Sequence, residues 1–188
     1  MSPLKPNSLT ERDLIKNSLK GDRVSQKGLF DMYAGKMLAV CKRYARHSAE
    51  AEDIFQEGFI KVFTKLESFN GEGSFEGWIR RIMVNTALKS VSKKSFQNES
   101  IGIEDFQQYD SGAAPEIIAK LSADDLLKLV DDLPEGYKIV FNLYAIEGFS
   151  HKEIADTLNI QVSTSRSQLV KARRMLQQKI EDLQKIAV

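Results

Sequence analysis

The residues whose types and spacing are most informative lie around a short turn in the C-terminal third of the chain. Ser150 and Glu153 have the spacing of a capping box, and Asn159 tolerates the left-handed conformation of a tight turn. We therefore predict two helices joined by this turn. Polar and cationic residues share one face of the second helix: Ser163, Thr164, Arg166, Ser167, Lys171 and Arg174. Such a face suits a DNA major groove, where Arg reads guanine. The alternative is a helical hairpin with a solvated charged face.

A second group able to contact nucleic acid surrounds a glycine-containing loop. The aromatic residues Phe69, Phe75 and Trp78 can stack on unpaired bases. The polar residues that follow can track a backbone or read a base edge: Arg80, Arg81, Asn85 and Lys89. The alternative, favoured for at least one of Phe75 and Trp78, is that these rings anchor the core. The loop is not a nucleotide-binding fingerprint, because no strand precedes it.

Asp53, Gln56 and Glu57 form a third group, beside an aromatic stripe. We interpret them as a docking surface for a basic helix of a partner, with a solvated face as the alternative. Cys41, His47 and His151 are not spaced like zinc ligands. We therefore predict a packing role for Cys41 and surface positions for both histidines. Without a nucleophile, base and oxyanion donor, the sequence favours a protein with no catalytic residues, metal or cofactor.

Composition sets the class of protein. The chain has 188 residues, of which 42% are hydrophobic, and a single cysteine, which favours a folded protein of the reducing cytoplasm. The start of the chain lacks a signal-peptide core, and no apolar run approaches membrane-spanning length. The net charge of +1 hides basic runs at 36–46, 80–94 and 166–179 and acids concentrated at 99–135. Alternatively, these acidic and basic faces lie close together and neutralise each other.

Nearly every periodic segment has the helical repeat, which predicts an all-α protein with two small domains. Predicted helices cover 9–19, 24–46, a segment capped by Ser48, 75–92 and 139–146, before the helix–turn–helix segment. We expect the second helical unit to open at Pro115 or Ser122. The predicted organisation is an N-terminal helical extension at 1–21, a domain at 22–92, a flexible acidic linker at 93–115 and a second domain at 116–188.

In order and spacing, these features resemble the extracytoplasmic-function class of the sigma-70 family of bacterial RNA polymerase sigma factors. The N-terminal signature comprises 29–33, 51–59 and 75–85. The C-terminal signature comprises Leu133-Pro134, Glu153-Ile154-Ala155 and 163–167. The resemblance covers nearly the whole chain after Gly21. It implies a subunit that directs core RNA polymerase to promoters, with the N-terminal domain as sigma region 2 and the C-terminal domain as sigma region 4.

The resemblance also implies roles for particular residues. Region 2 would dock on the coiled-coil clamp of the polymerase largest subunit through Asp53, Gln56 and Glu57. It would melt the −10 promoter element and capture a flipped base at the 69–74 loop. Asn70, Trp78, Arg81 and Asn85 stand at the matching positions, beside the aromatic and basic residues named above. Region 4 would place its reading face on the −35 element: Ser163, Thr164, Arg166, Ser167, Val170, Lys171 and Arg174.

The partners implied by the resemblance are core polymerase, promoter DNA and, in some relatives, an anti-sigma factor. Ser165 departs from the apolar residue common at its position, so we expect the recognition helix to pack slightly differently. Two other hypotheses stay open: a stand-alone helix–turn–helix regulator, and a helical adaptor with no DNA role. The first leaves the 53–59 segment and the 69–78 loop unexplained.

Overall fold

The computed structural model describes residues 9–92 and 122–186, and these residues fold mainly into helices. The chain divides into two compact units, Met1–Lys93 and Lys94–Val188, hereafter unit 1 and unit 2. Within the described ranges there is no β-strand, in keeping with the predicted all-α fold. The predicted acidic linker and the alternative start at Pro115 lie outside the described residues.

Unit 1 contains four α-helices in its described part. They are α1 (Glu11–Ser18), α2 (Arg23–Lys42), α3 (Ser48–Thr64) and α4 (Phe75–Ser92), with a 3-10 turn at Leu66–Ser68. Helices α2, α3 and α4 pack on one another, and α1 packs on α2. The predicted helix at 24–46 is shorter in the structure, because the chain turns after Lys42.

Polar side chains fix where the helices of unit 1 begin. Thr10 and Asp13 form a capping box on α1, and Asp22 accepts a hydrogen bond from the Ser25 N–H at the start of α2. The predicted cap at Ser48 is wrong. His47 caps α3 instead, since its Nδ1 accepts the Glu50 N–H at 3.2 Å and Ser48 is already helical. A histidine ring nitrogen can replace the usual hydroxyl because it too is an acceptor.

The core of unit 1 is apolar and tightly packed. Phe75, Met37 and Met83 are among its fully buried side chains. Gly58 on α3 faces Met83 on α4, and a Cβ atom added there would lie 2.2 Å from the Met83 sulfur. A side chain at position 58 would force Met83 to move, so glycine lets Met83 keep this position between the two helices. Cys41 is also fully buried, which raises the pKa of its thiol to about 12 and confirms its predicted packing role.

Unit 2 is organised around one long helix. Its described elements are α5 (Ala123–Asp131), α6 (Glu135–Phe141), a π-helical segment (Asn142–Ile146), α7 (His151–Leu158) and α8 (Val162–Ile186). Helices α5, α6 and α7 all pack against α8. Ser122 caps α5, in agreement with one of the two starts predicted for this unit. Val130, Leu133 and Ala172 form a buried cluster that Tyr137, Phe141, Met175 and Leu176 cover.

Candidate functional site

The helix–turn–helix of unit 2 has the predicted local geometry. Ser150 and Glu153 form a reciprocal capping box at the start of α7. Asn159 adopts the left-handed conformation, with φ of 54°, and the Ile160 N–H donates to the Ala155 carbonyl at 3.1 Å. Because Ile154, Ala155 and Leu158 are buried, α7 is held firmly in place and presents the start of α8 at a fixed angle.

The reading face of α8 consists of the predicted region 4 residues. Ser163, Arg166, Val170 and Arg174 are exposed, whereas Thr164, Ser167 and Lys171 are half-buried at one side. The helical repeat places Ser163, Val170 and Arg174 in one stripe with Arg166 at its border. The Ser167 hydroxyl donates to the Thr164 carbonyl of its own helix at 2.9 Å. Val170, 48% exposed, adds an apolar patch suited to a thymine methyl group.

The opposite face of α8 contains polar residues that point into unit 2. Ser165 is fully buried, and its Oγ lies 2.9 Å from Nδ1 of His151. The predicted surface position of His151 is therefore wrong. Its ring is half-buried, stacks on Tyr144 at 4.5 Å between ring centroids, and bonds to the recognition helix. Burial lowers the pKa of His151, and the nearby Arg166 and Arg173 lower it further.

In unit 1 the predicted aromatic residues form one cluster. The ring centroids of Phe69 lie 5.0 Å from Phe75 and 5.5 Å from Trp78, and Phe75 stacks on Trp78 at 5.6 Å. Phe75 is 2% exposed and also contacts Tyr33. A base cannot stack on a ring that is enclosed in this way, so the predicted contact between Phe75 and DNA is wrong. Phe69 and Trp78 are half-buried and retain accessible surface.

The loop before α4 is exposed and its conformation is defined by local hydrogen bonds. The Glu72 N–H donates to Asn70 Oδ1 at 3.0 Å, and the Gly77 N–H donates to Ser74 Oγ at 3.0 Å. Gly71 and Gly73 have φ of 82° and 76°, values that side chains other than glycine rarely adopt. These bonds and glycine conformations define the course of the loop backbone between Phe69 and α4.

The outer face of α4 extends away from this loop. Trp78, Arg81, Asn85 and Lys89 recur every three or four residues and thus share one stripe. Arg81, Asn85 and Lys89 are exposed. Arg80 falls outside this stripe and is half-buried. The structure therefore brings together an aromatic platform and a polar track, with Arg80 on a neighbouring side of the helix.

The predicted docking residues lie on the outer face of α3. Asp53, Gln56 and Glu57 are all exposed, and Glu57 pairs with Lys61 at 2.5 Å. Ile60 is 64% exposed, although its hydrophobic type favours burial. It falls on the acidic face because it follows Asp53 by two helical turns. An exposed isoleucine among carboxylates was missed because hydrophobic type alone suggested burial.

Some of the segregated charges meet in space. Lys36 on α2 pairs with Glu76 on α4 at 2.6 Å, while Asp131 and Asp132 pair with Lys138 and Lys179. Of these three pairs, Asp132 with Lys179 joins the acidic stretch to a basic run, so the alternative in which opposite charges neutralise each other applies to that pair. Across 9–92 and 122–186, no three potential ligands among His, Cys, Asp and Glu gather into a metal-binding group. In the same ranges, no helix is long and apolar enough to cross a membrane.

Comparison with known proteins matches each unit to a family model. Residues 29–97 match Sigma-70 region 2, and residues 123–176 match Sigma-70, region 4. The ECF RNA polymerase sigma-E factor of Haemophilus influenzae is 33% identical, with 93% of this chain and 97% of that protein covered. Its namesake in Escherichia coli K12 is 29% identical over 93% and 96%.

A solved structure has a similar fold. It is CnrH in complex with the cytosolic domain of CnrY, with a TM-score of 0.51 and 19% identity. The alignment covers 92% of this chain and 97% of that chain. The similarity extends through both units, since neither unit alone spans so much of the chain.

Proposed function

The chain belongs to the sigma-70 family of bacterial RNA polymerase sigma factors, in the extracytoplasmic-function class, and we propose that both units contact promoter DNA while bound to core polymerase. As a sigma factor it directs promoter-specific initiation of transcription. The features that support each proposed contact are the exposed faces of α8, α4 and α3. We propose a cytoplasmic protein with no catalytic activity of its own.

We propose that unit 2 reads the −35 element with the exposed face of α8. Arg166 and Arg174 supply cations, Ser163 supplies a hydroxyl, and Val170 supplies an apolar contact. An arginine that reads guanine contributes about 1–3 kcal/mol of discrimination against the wrong base. Thr164, Ser167 and Lys171, at the half-buried border, are placed to hold the flanking phosphates.

Unit 1 melts the −10 element in this proposal. Asn70 and the backbone of the exposed loop contact an unstacked base, and Phe69 and Trp78 provide the aromatic surface beside it. Arg81 and Lys89 follow the displaced strand, and Asn85 contacts a base edge. Stacking favours only unpaired bases, contributing about 1–3 kcal/mol per base, so it lowers the free energy of the open state relative to the duplex.

The outer face of α3 is the proposed contact with the coiled-coil clamp of the polymerase largest subunit. Asp53, Gln56 and Glu57 offer acceptors to basic side chains, and Ile60 supplies an apolar centre among them. Core polymerase would then hold both DNA-contacting units on one promoter. Tethering two weak contacts raises their effective concentration and so their combined affinity.

An anti-sigma factor is the third partner that we propose. The CnrH chain, which shares this fold, was solved with the cytosolic domain of CnrY. A regulator that covers α3 or α8 would block the proposed contact with polymerase or with the −35 element. Co-purification from cells with the tagged full chain would identify it.

The observation that carries the proposal is that the two family matches occur in one chain, in the family's order, each with its contact face exposed. The test is reconstituted transcription. The purified chain is added to core polymerase and genomic DNA, and start sites are mapped with and without the chain. Initiation at a set of promoters that share −35 and −10 elements is expected. Duplex binding without any effect on core polymerase would instead identify a stand-alone regulator.

A further inference from the structure

Three elements of unit 2 meet in a cluster of side chains that the proposed DNA contacts do not use. His151, the first residue of α7, stacks on Tyr144 of the π-helical segment and bonds to Ser165 of α8. The guanidinium of Arg173, two turns further along α8, lies 5.8 Å from the centroid of the Tyr144 ring. We call His151, Tyr144, Ser165 and Arg173 the polar brace. It connects both helices of the helix–turn–helix to the segment before them.

Ser165 holds a sensitive position within α8. It lies between Thr164 and Arg166, two members of the reading face, yet its own side chain is fully buried. The hydroxyl and His151 Nδ1, 2.9 Å apart, therefore restrain rotation of α8 about its axis beside the residues that meet DNA. An aliphatic side chain at this position would fill space but would not fix direction, because dispersion contacts have little angular preference.

We propose that His151 is a positioning residue for recognition of the −35 element, acting through its hydrogen bond to Ser165. This inference rests on the proposed function of unit 2 and deepens it. The bond forms with either neutral tautomer of the ring, because a serine hydroxyl can donate or accept. The Tyr144 stack fixes the plane of the ring, and the guanidinium of Arg173, which lies over the Tyr144 ring, helps to hold that aromatic ring in place.

The surroundings of His151 favour the neutral imidazole. Arg166 and Arg173 of α8 are the cations near the ring, and together with burial they lower the pKa of His151. From the π-helical segment the ring faces Tyr144. On its own helix the carboxylate of Glu153 is bound to Ser150 in the capping box.

The test uses full-length variants assembled into holoenzyme with core polymerase. His151→Phe keeps the stack on Tyr144 and removes the hydrogen bond. His151→Asn removes the stack but keeps a polar atom near the position of Nδ1. The δ atoms of asparagine and Nδ1 of histidine are the same number of bonds from Cα. Ser165→Ala removes the bond from the other side, and the double variant of His151→Phe with Ser165→Ala completes the cycle. Each holoenzyme transcribes two promoter libraries, one randomised at the −35 element and one at the −10 element.

In the −35 library we expect His151→Phe and Ser165→Ala each to reduce the preference for the best sequence about three- to tenfold, as loss of one oriented hydrogen bond implies. The double variant is expected to lose no more than either single variant, since both remove the same bond. His151→Asn should recover part of the preference. Preference in the −10 library should stay as in the wild-type holoenzyme.

An NMR measurement distinguishes loss of this hydrogen bond from a general loss of stability. The imidazole ¹⁵N signals of the free full chain contain only His47 and His151, and Ser165→Ala should move only those of His151. Three results would overturn the inference: an unchanged −35 preference in both single variants, losses that multiply in the double variant, or equal losses in both libraries. Failure of the wild-type holoenzyme to initiate at any promoter would count against the proposed function instead.

Discussion

Unit 1 and unit 2 differ in what fills their interiors. The buried polar residues described in unit 1 are hydroxyls, and Thr86, for example, donates to the Ile82 carbonyl of its own helix at 2.8 Å. Unit 2 buries the amides of Asn142 and Gln168 together with Ser165. Neither amide atom of Gln168 has a hydrogen-bond partner within the described residues.

This difference suggests two ways in which a protein interior can support the proposed DNA contacts. An apolar interior stabilises without directional preference, and it gives unit 1 a rigid platform beneath its loop. A polar interior costs free energy wherever a group stays unpaired, but its paired groups fix orientation. In unit 2 the unpaired amide of Gln168 lowers stability, whereas the bond between His151 and Ser165 restrains the orientation of α8. Five experiments can test this difference between the units.

The largest effect is expected from Phe75→Ala in unit 1. Removing this ring from a packed core should lower the free energy of unfolding by about 3–5 kcal/mol. Fluorescence of Trp78, the single tryptophan of the chain, reports denaturant unfolding of unit 1. As a control, Phe141→Ala in unit 2 should leave this fluorescence transition in place. A loss below about 1 kcal/mol for Phe75→Ala would contradict the core role.

Trp78→Ala tests the surface of unit 1. We expect it to weaken promoter opening by about 1–3 kcal/mol, because one base loses its stacking partner. Initiation rates on duplex and premelted templates provide the measurement, and the premelted template should restore much of the loss. Trp78→Phe is the matched control that keeps a ring. An equal defect on both templates would argue against a role in melting.

Arg166→Ala tests the corresponding surface of unit 2. The change should cost about 1–3 kcal/mol on the preferred −35 sequence and relax selection at one base pair. Binding of holoenzyme to a set of single-base −35 variants measures both effects. Lys128→Ala on α5, where Lys128 is exposed and paired with Asp125, controls for loss of a positive charge. Unchanged base preference would remove Arg166 from the reading face.

Gln168→Met sharpens the contrast between the interiors. Methionine nearly matches glutamine in shape and lacks the unpaired amide, so we expect unit 2 to gain about 1–3 kcal/mol of stability. The transition of unit 2 is followed by circular dichroism, while the Trp78 fluorescence transition should not move. Gln178→Met, at an exposed position of the same helix, serves as the control. A loss of stability would mean that the amide is paired in solution.

The smallest expected effect is a pH dependence confined to unit 2. Since the pKa of His151 is lower in the folded chain than its usual 6.5, the unfolded state binds more protons as the pH falls below neutral. Stability of unit 2 should therefore decrease between about pH 7 and pH 5, by an amount that His151→Phe abolishes. Denaturant unfolding at several pH values measures it. A wild-type curve parallel to that of the variant would show that His151 does not contribute.

How much the sequence could predict depended on whether the signal was local. The capping box of Ser150 and Glu153 and the turn at Asn159 were confirmed, because caps and turns are set by neighbouring residues. The sequence did not predict that Phe75 is buried or that Ile60 is exposed. Helical period and residue type show which side of a helix faces the core, but they do not show how wide the buried face is.

The polar brace could not be predicted from any local pattern. His151 and Ser165 are fourteen residues apart, and only the angle between α7 and α8 brings them together. The sequence offered one signal: Ser165 stands where many family members have an apolar residue. This difference indicated altered packing of the helix but did not identify His151 as the bonding partner. The roles of individual residues at the three interfaces stay predictions.

The buried thiol of Cys41 makes this chain convenient for cysteine-directed labelling. With its pKa raised to about 12 and no exposed surface, it will react slowly with maleimides and oxidants near neutral pH, because the thiolate is the nucleophile. A new surface cysteine in each unit could thus carry a dye or spin label while the native one is kept. Distances between the two probes, free and on core polymerase, would then be measurable in an otherwise unaltered chain.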